Sequence, residues 1–330
     1  MHRSASDAAW VHILLNRNND AGVAKLHDLI GSEDSYDLHL SSLHQITGGL
    51  STGDLELQID LGPLRIENRD WLGATPLMWA SRLSNSTHAN ILLLRGAKVE
   101  ARDSSGRTAL HYAVEGGSLG CIKALLEAGA DAQTADNDGI FPIHSVVYFI
   151  NNCEVGDIIS CLCAHGADLE TRDNTGFTPL YRAVDLGSHV SVEALIRCGA
   201  NMNILGIGNY PPVGRAIING FDNTVELLCQ ADTMVSWIDC YGQEINVVSG
   251  AVLYGTVRVM GVISRSGIAP VEYNATHLRY WFDKRQDRNL DGYSLAQKRA
   301  ALERLLEKVV PLNSDVKVSS LVDMEDERPG

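Results

Sequence analysis

The sequence predicts an all-α chain: a solenoid of helix–turn–helix units stacked side by side through β-turn or hairpin connections. Three observations predict it. Folded on itself, the chain repeats, because DWLGATPLMWA (70–80), DSSGRTALHYA (103–113), DNDGIFPIHSV (136–146) and DNTGFTPLYRA (173–183) share one spacing of Asp, Gly and apolar residues. The glycines Gly73, Gly106 and Gly139 stand 33 residues apart, a period that signals a stacked supersecondary unit. The second half of each unit repeats too, as apolar helical runs that stop at Gly96, Gly129, Gly166 and Gly199.

The elements follow in order. Residues 1–40 form an N-terminal segment whose pattern over 5–30 is helical. Residues 41–69 read as a degenerate capping repeat, with a Leu43-His44 start, two amphipathic runs and a return at Ile66-Glu67-Asn68; a terminal unit turns one face to water and so departs from the pattern. Four clear units occupy 70–102, 103–135, 136–172 and 173–205. Their first helices are announced by Thr75-Pro76 and Thr178-Pro179, which set a hydroxyl at the N-cap and a proline at the first helical position, where no N–H is needed. Their second helices end at a glycine free to adopt the left-handed conformation. The spacing widens to 37 at Gly176, and the extra four residues are assigned to YFINNCEVGD (148–157), as a longer loop between the third unit's two helices.

Beyond that the repeat erodes, and the eroded units complete a repeat region over 70–269. The fifth unit (206–238) keeps Gly208 or Asn209, Pro211-Pro212-Val213 and Ala216 but ends at Ala231-Asp232 without glycine. The sixth (239–269) keeps Asp239 and Gly242 but has Asn246 where an apolar residue belongs. Residues 270–310 read as a helical cap with Leu295, Ala301, Leu305 and Val309 at helical intervals. The last stretch, 311–330, is polar and acidic and reads as a mobile tail.

The 33-residue period and the Thr-Pro-Leu helix start resemble the ankyrin repeat, whose first helix begins Thr-Pro-Leu-His-x-Ala. The resemblance covers about residues 66–267, and the architecture is similar to that of small intracellular fungal ankyrin proteins. It implies that His111 and His144, at the helix-start position also filled by Met78, Tyr181 and Gly214, are structural: in the family that His bonds to its own Thr and to the neighbouring turn. His144 departs, since Phe141 replaces its Thr.

Composition narrows the function classes. Forty-one acids against 27 bases give a formal charge of −14, which repels phosphate backbones and anionic membranes. The longest early apolar stretch, residues 11–15, is too short for a signal-peptide core, and nothing approaches 18 unbroken apolar residues. Seven cysteines without dense spacing read as reduced thiols. The expectation is a monomeric cytoplasmic or nuclear chain with a protein partner, no nucleic acid and no membrane.

Apparent motifs reduce to scaffold. Cys161 and Cys163 in CLCAH point about 200° apart on a helix, so they read as core thiols with Cys121, Cys198 and Cys229, and no metal site is expected. DRNLDGYSLAQK (287–298) places Asp287, Asn289, Asp291 and Gly292 as a calcium loop would, but Lys298 stands where the bidentate Glu is needed; it reads as a polar turn capping the final helix. LGIGNYPP (205–212) lacks the strand-to-helix context of a phosphate loop and reads as an irregular turn. No cofactor is expected.

What remains is a surface. The resemblance implies that contacts lie along a concave groove, at residues flanking each turn glycine and at the ends of the first helices. The turn positions are Trp71, Leu72, Ser104, Ser105, Arg107, Asn137, Asp138, Asn174 and Thr175; the helix ends are Arg82, Leu83, Glu115, Tyr148, Phe149, Asp185 and Leu186. Trp71 and Tyr148-Phe149 are large aromatics of the kind that anchor interfaces, unless Trp71 packs on the N-terminal cap and the pair tucks under the insertion. The leading expectation is therefore a non-enzymatic recognition module or scaffold. The rival is an enzyme or small-molecule binder with a cleft near the third unit's insertion or the eroded fifth and sixth units, using His144, Glu115 or Asp185 as acid or base.

Overall fold

The computed structural model describes residues 41–47, 52–148, 154–230, 236–238, 244–266, 275–284 and 293–309. The predictions made for 1–40, Phe149, the 231–232 helix end, Asp239, Gly242, residues 287–292 and the 311–330 tail lie outside them. The chain divides into two compact lobes, 1–201 and 202–330.

In the N-terminal lobe, helices come in antiparallel pairs. The capping repeat supplies α1 (Ser42–Thr47), α2 (Leu55–Leu61) and a 3-10 turn (Pro63–Glu67). The first clear unit gives α3 (Pro76–Arg82) and α4 (Ser86–Leu94), the second α5 (Ala109–Glu115) and α6 (Leu119–Glu127). The third pairs a 3-10 helix (Pro142–Tyr148) with α7 (Val155–Ala164), and the fourth gives α8 (Pro179–Asp185) and α9 (His189–Arg197). First helices pack on first helices in chain order from α1 to α8, and second helices do the same through α4, α6, α7 and α9. Between the layers Leu77, Leu110, Ile122, Leu125, Ile143, Ile158 and Leu180 are buried, each contributing roughly 1.5–3 kcal/mol.

The local signals act as the sequence suggests. Thr75 and Thr178 Oγ1 accept the Met78 and Tyr181 N–H groups. At the far ends, Gly129 N–H donates to Leu126 O and Ala130 N–H to Leu125 O, and the same pair of bonds closes the helices at Gly96, Gly166 and Gly199. These four glycines have φ between 85° and 94°, the left-handed closure that a side chain resists. The third unit is the exception. Phe141 offers no N-cap hydroxyl and the β-branched Ile143, Val146 and Val147 crowd the turn, so its first helix is wound as the tighter 3-10 form.

The C-terminal lobe keeps the paired pattern in α10 (Pro212–Asn219) with α11 (Asp222–Gln230), and α12 (Val247–Tyr254) with α13 (Val257–Arg265). A two-stranded antiparallel hairpin, β1 (Ser236–Ile238) and β2 (Glu244–Asn246), precedes α12 with Trp237 opposite Ile245. Two asparagines of the eroded units have roles. Asn209, at φ 60°, takes the left-handed place that a glycine holds in the other turns. Asn246 is the N-cap of α12: its carboxamide oxygen accepts the Ser249 N–H at 2.7 Å while Ser249 Oγ accepts the Asn246 N–H at 3.0 Å. The first helix of the sixth unit thus starts two residues late, which is why the asparagine falls on an apolar position of the frame.

Helices α14 (Ala275–Lys284) and α15 (Leu295–Val309) close this lobe, α14 on α12 and α15 on α13. Ser294 and Gln297 cap α15 reciprocally. The buried face of α15 is Ala301, Leu302, Leu305 and Leu306, whereas Leu295 is exposed; the predicted face is right at 301 and 305 and wrong at its first member, which lies in the opening turn.

Candidate functional site

Each turn of the N-terminal lobe is built on an aspartate. One carboxylate oxygen of Asp103 accepts the N–H groups of Ser105 and Arg107, both at 2.8 Å, and Asp70, Asp136 and Asp173 hold their turns through the same two bonds. The turns are then laced to one another. Ser104 N–H donates to Leu72 O, Asn137 N–H to Ser105 O and Asn174 N–H to Asp138 O, while the side chains of Ser104, Asn137 and Asn174 reach back to the carbonyls of Leu72, Ser104 and Asn137. Gly106, at φ 80°, allows this approach: a Cβ there would sit 2.4 Å from Asn137 Oδ1.

The second carboxylate oxygen looks along the first helix, and its partner stands nine residues on. Asp70 Oδ2 accepts from Trp79 Nε1 at 2.9 Å, Asp103 Oδ2 from the Tyr112 hydroxyl at 2.6 Å, and Asp173 Oδ2 from Arg182 Nε at 3.0 Å. In the third unit that place belongs to Ser145. Burial pushes the Asp70 carboxyl above the usual carboxylate range, whereas burial works against Asp173 yet the bonds from Thr175 and Arg182 hold its carboxyl below that range.

Three predicted contact residues belong to one network. Glu115 accepts from Arg82 Nη1 and, at 3.2 Å, from Arg107 Nη1. Arg107 also donates to Asp103 Oδ2 at 3.2 Å and to the Tyr112 hydroxyl at 2.6 Å, and its guanidinium lies 4.4 Å from the centre of the Tyr112 ring. Burial opposes the Arg107 charge, but Tyr112, Glu115 and Asp103 around it hold its pKa above that of an ordinary arginine. These groups join the first and second clear units.

The histidines are accounted for by geometry. His111 Nδ1 accepts the Thr108 N–H at 3.1 Å and its Nε2 donates to Ile140 O at 2.9 Å. His144 does the same with Phe141 N–H at 3.3 Å and Phe177 O at 3.1 Å. The missing threonine costs it little, because a backbone N–H supplies the bond. His44 repeats the arrangement, with Nδ1 on the Ser41 N–H and hydroxyl and Nε2 on Ala74 O. All three are fully buried, and burial lowers their pKa values. Both ring nitrogens of His144 and both oxygens of Glu115 are thus occupied. Asp185 is half-buried on the last turn of α8.

The turns and first helices line a groove of about 530 Å³ that takes in Leu72, Ser105, Arg107, Glu115, Asp136, Asp138, Asn174, Thr175 and Arg182. Beside it, and sharing Leu72, a narrower pocket is walled by Trp71, Trp79, Leu83, Arg82 and Tyr112. Trp71 is half-buried, packed edge to face on Trp79 with ring centres 6.3 Å apart. Its indole N–H is buried and finds no acceptor among the described residues. Leu83 is half-buried and Leu186 exposed. Tyr148 ends the 3-10 helix.

Two further regularities went unread in the sequence. Arg69, Arg102 and Arg172, just before the turn aspartates, donate to the carbonyls of Gly73, Gly106 and Gly176. Glu67, Glu100 and Glu170 accept the N–H of Lys98, Asp131 and Asn201 in the unit that follows. Each recurs in the repeat frame, so alignment of the whole unit reveals them. The thiols need a correction. Cys121 is buried, but Cys161, Cys163, Cys198 and Cys229 are half-buried rather than core, because they lie toward the outer side of their helices or at a helix end. Burial still raises the thiol pKa of Cys121, Cys161, Cys163 and Cys229, to about 12 for the last.

With this geometry in place, comparison with known proteins is direct. The model for three copies of the ankyrin repeat matches residues 55–136, and the model for the single ankyrin repeat matches 175–207. The chain carries ankyrin repeats. The crystal structure of the ankyrin repeat domain of Bcl-3, a unique member of the IkappaB protein family, is similar at a TM-score of 0.57 and 24% identity, over 68% of this chain and 98% of that one. At this identity the likeness speaks to the fold. No curated protein matches the sequence, and the finer likeness to small fungal members finds no support. Ankyrin repeats generally bind protein partners, so the chain is built as a protein-interaction module. Among the described residues no helix is long and apolar enough to cross a membrane.

Proposed function

We propose that this ankyrin protein recognises a protein partner through the groove of its N-terminal lobe, without catalysis of its own. The observation that carries the reading is the groove itself: about 530 Å³ open along four successive turns, lined by turn and first-helix side chains alone. The aspartates and histidines behind it are committed to holding the turns, so the surface is rigid before a partner arrives, which lowers the ordering cost of binding. The exposed tip residues Ser105, Asp138 and Thr175 differ from unit to unit while the scaffold beneath them does not. The five cysteines among the described residues are free thiols, which suits a reducing compartment, cytoplasm or nucleus.

The test is co-purification with the full chain and two variants. Ser105→Trp fills the groove, and Leu94→Arg changes a side chain that is 85% exposed on the second-helix layer. Recovery of partners lost with Ser105→Trp and kept with Leu94→Arg is the expected outcome; the reverse pattern refutes the groove.

A further inference from the structure

The charges along the groove do not cancel. Its lining holds Asp103, Glu115, Asp136 and Asp138 against Arg107 and Arg182. Both arginines are engaged, Arg107 by Asp103 and Glu115 and Arg182 by Asp173. Asp103 and Glu115 are engaged in the same pairs. Asp136 uses one oxygen for its own turn, and neither its other oxygen nor the Asp138 carboxylate has a hydrogen-bond or ionic partner among the described residues.

This excess has a definite origin. Where the other three turns set Trp79, Tyr112 or Arg182 against the outer oxygen of their aspartate, the third unit has Ser145, whose side chain is too short to serve. Where they set Arg69, Arg102 or Arg172 before the aspartate, it has Ala135. Asp136 is consequently half-exposed, although Asp70, Asp103 and Asp173 are buried. The uncompensated carboxylates stand in the middle of the laced turns, where the groove is open.

The second observation is independent of charge. At the groove's N-terminal end Leu72 passes into the pocket of Trp71 and Leu83, an apolar shelf at turn-tip and helix-end positions that are otherwise mostly polar. The indole of Trp71 is half-buried, and its buried N–H has no acceptor among the described residues. An apolar side chain packed there removes exposed apolar surface, and aromatic pockets of this kind supply most of the energy of many interfaces.

Resting on the groove reading, we infer that the occupant is an extended segment of a partner protein carrying an apolar side chain and, further along, an arginine or lysine. The apolar side chain lies on the shelf of Trp71, Leu72 and Leu83. The cation pairs with Asp136 and Asp138. An acidic segment is disfavoured, because every cation lining the groove is already paired and like charges across an interface cost affinity and slow association.

A phage-displayed library of random 12-residue peptides, panned on the full chain in 50 mM NaCl, tests this. The highest-enriched peptide is then titrated by fluorescence anisotropy against the parent chain, Asp138→Lys and Ser105→Trp, each checked for an unchanged circular-dichroism melt. The side chain of Asp138 makes no bond to the described residues and is exposed, so its replacement leaves the fold intact. We expect enriched peptides that combine Arg or Lys with a large apolar residue, at least a tenfold loss of affinity with Asp138→Lys, and loss of binding with Ser105→Trp. Peptides that Ser105→Trp blocks but that lack a basic residue, or that ignore Asp138→Lys, overturn this inference and leave the groove reading standing. Peptides indifferent to both variants overturn both. A library yielding no enrichment also overturns the inference.

Discussion

Replacing Glu115 with glutamine removes one charge and little volume from the centre of the Arg82–Glu115–Arg107 network. The side chains of Arg82, Glu115 and Arg107 are 9%, 15% and 13% exposed, so the two guanidinium groups cannot simply turn to water. Breaking a buried ion pair costs roughly 3–5 kcal/mol, an exposed one roughly 0.2–1. Arg107 keeps Asp103 and Tyr112 after the change, which leaves Arg82 as the main loser. The small residual exposure and this retained pairing place the expected loss at about 2–3 kcal/mol. Denaturant unfolding of the full chain measures it, and a cycle with Arg82→Met apportions it: in the double variant the guanidinium no longer faces a neutral carboxamide, and about half of the loss should return. A Glu115→Gln chain within about 0.5 kcal/mol of the parent, or a strictly additive cycle, refutes the view that these residues are scaffold. In that case Glu115 is available for a partner or a substrate.

Other consequences follow from the same geometry. Gly106→Ala and Gly176→Ala both force an L-residue to φ near 80°, but only the first meets a neighbour, Asn137 Oδ1 at 2.4 Å; unfolding curves should show about 1 kcal/mol lost for Gly176→Ala and about 3 for Gly106→Ala, the left-handed term being roughly 1–2. Equal losses would remove the turn-to-turn contact as the cause. Burial depresses the pKa of His44, His111 and His144, so below about pH 6.5 the unfolded chain binds protons that the folded chain does not. The melting temperature should therefore fall as pH drops from 7.5 to 5.5, less steeply in His111→Asn; a parent chain whose stability is flat over that window contradicts the assignment. In the C-terminal lobe Gly214→Ala would bring a Cβ 2.9 Å from the Trp237 ring, and a loss of about 1–3 kcal/mol from overpacking is expected in thermal unfolding.

The periodic features were legible because they repeat. The Asp-Gly turns, the threonine caps, the closing glycines and the histidine position all recur at one spacing, and recurrence separates scaffold from incident without any coordinates. His144 shows the limit. Its missing threonine looks like a vacancy in sequence, yet the bond that matters comes from the Phe141 N–H, which any residue other than proline supplies. Asn246 misleads in the same way: a polar residue on an apolar position of the frame is a cap two residues displaced. The 3-10 form of the third unit's first helix and the outward cysteines follow from local crowding and helix rotation, which a repeat alignment does not weigh.

The candidate groove was legible as a set of positions, but not as chemistry. Ser104, Asn137 and Asn174 stand at turn-tip positions, where contact residues are expected, and the structure spends their side chains on the neighbouring turn. Arg82, Arg107 and Glu115 likewise read as contact positions and prove to be paired across two units.

That the variable surface lies on the turns and first helices is implied by the resemblance to the ankyrin repeat; the sequence by itself determined that the chain is a stack of 33-residue helical pairs and which residues turn, cap and close each pair. Those properties are local, set by backbone conformation and helical period within one unit. Which variable residues stay free for a partner was decided only by the tertiary structure, because pairing runs between units: a side chain meets residues about 33 positions away, and whether a charge is spent or left over depends on its neighbour in the stack. Asp136 and Asp138 are left over because the third unit lacks the donors that the other units carry.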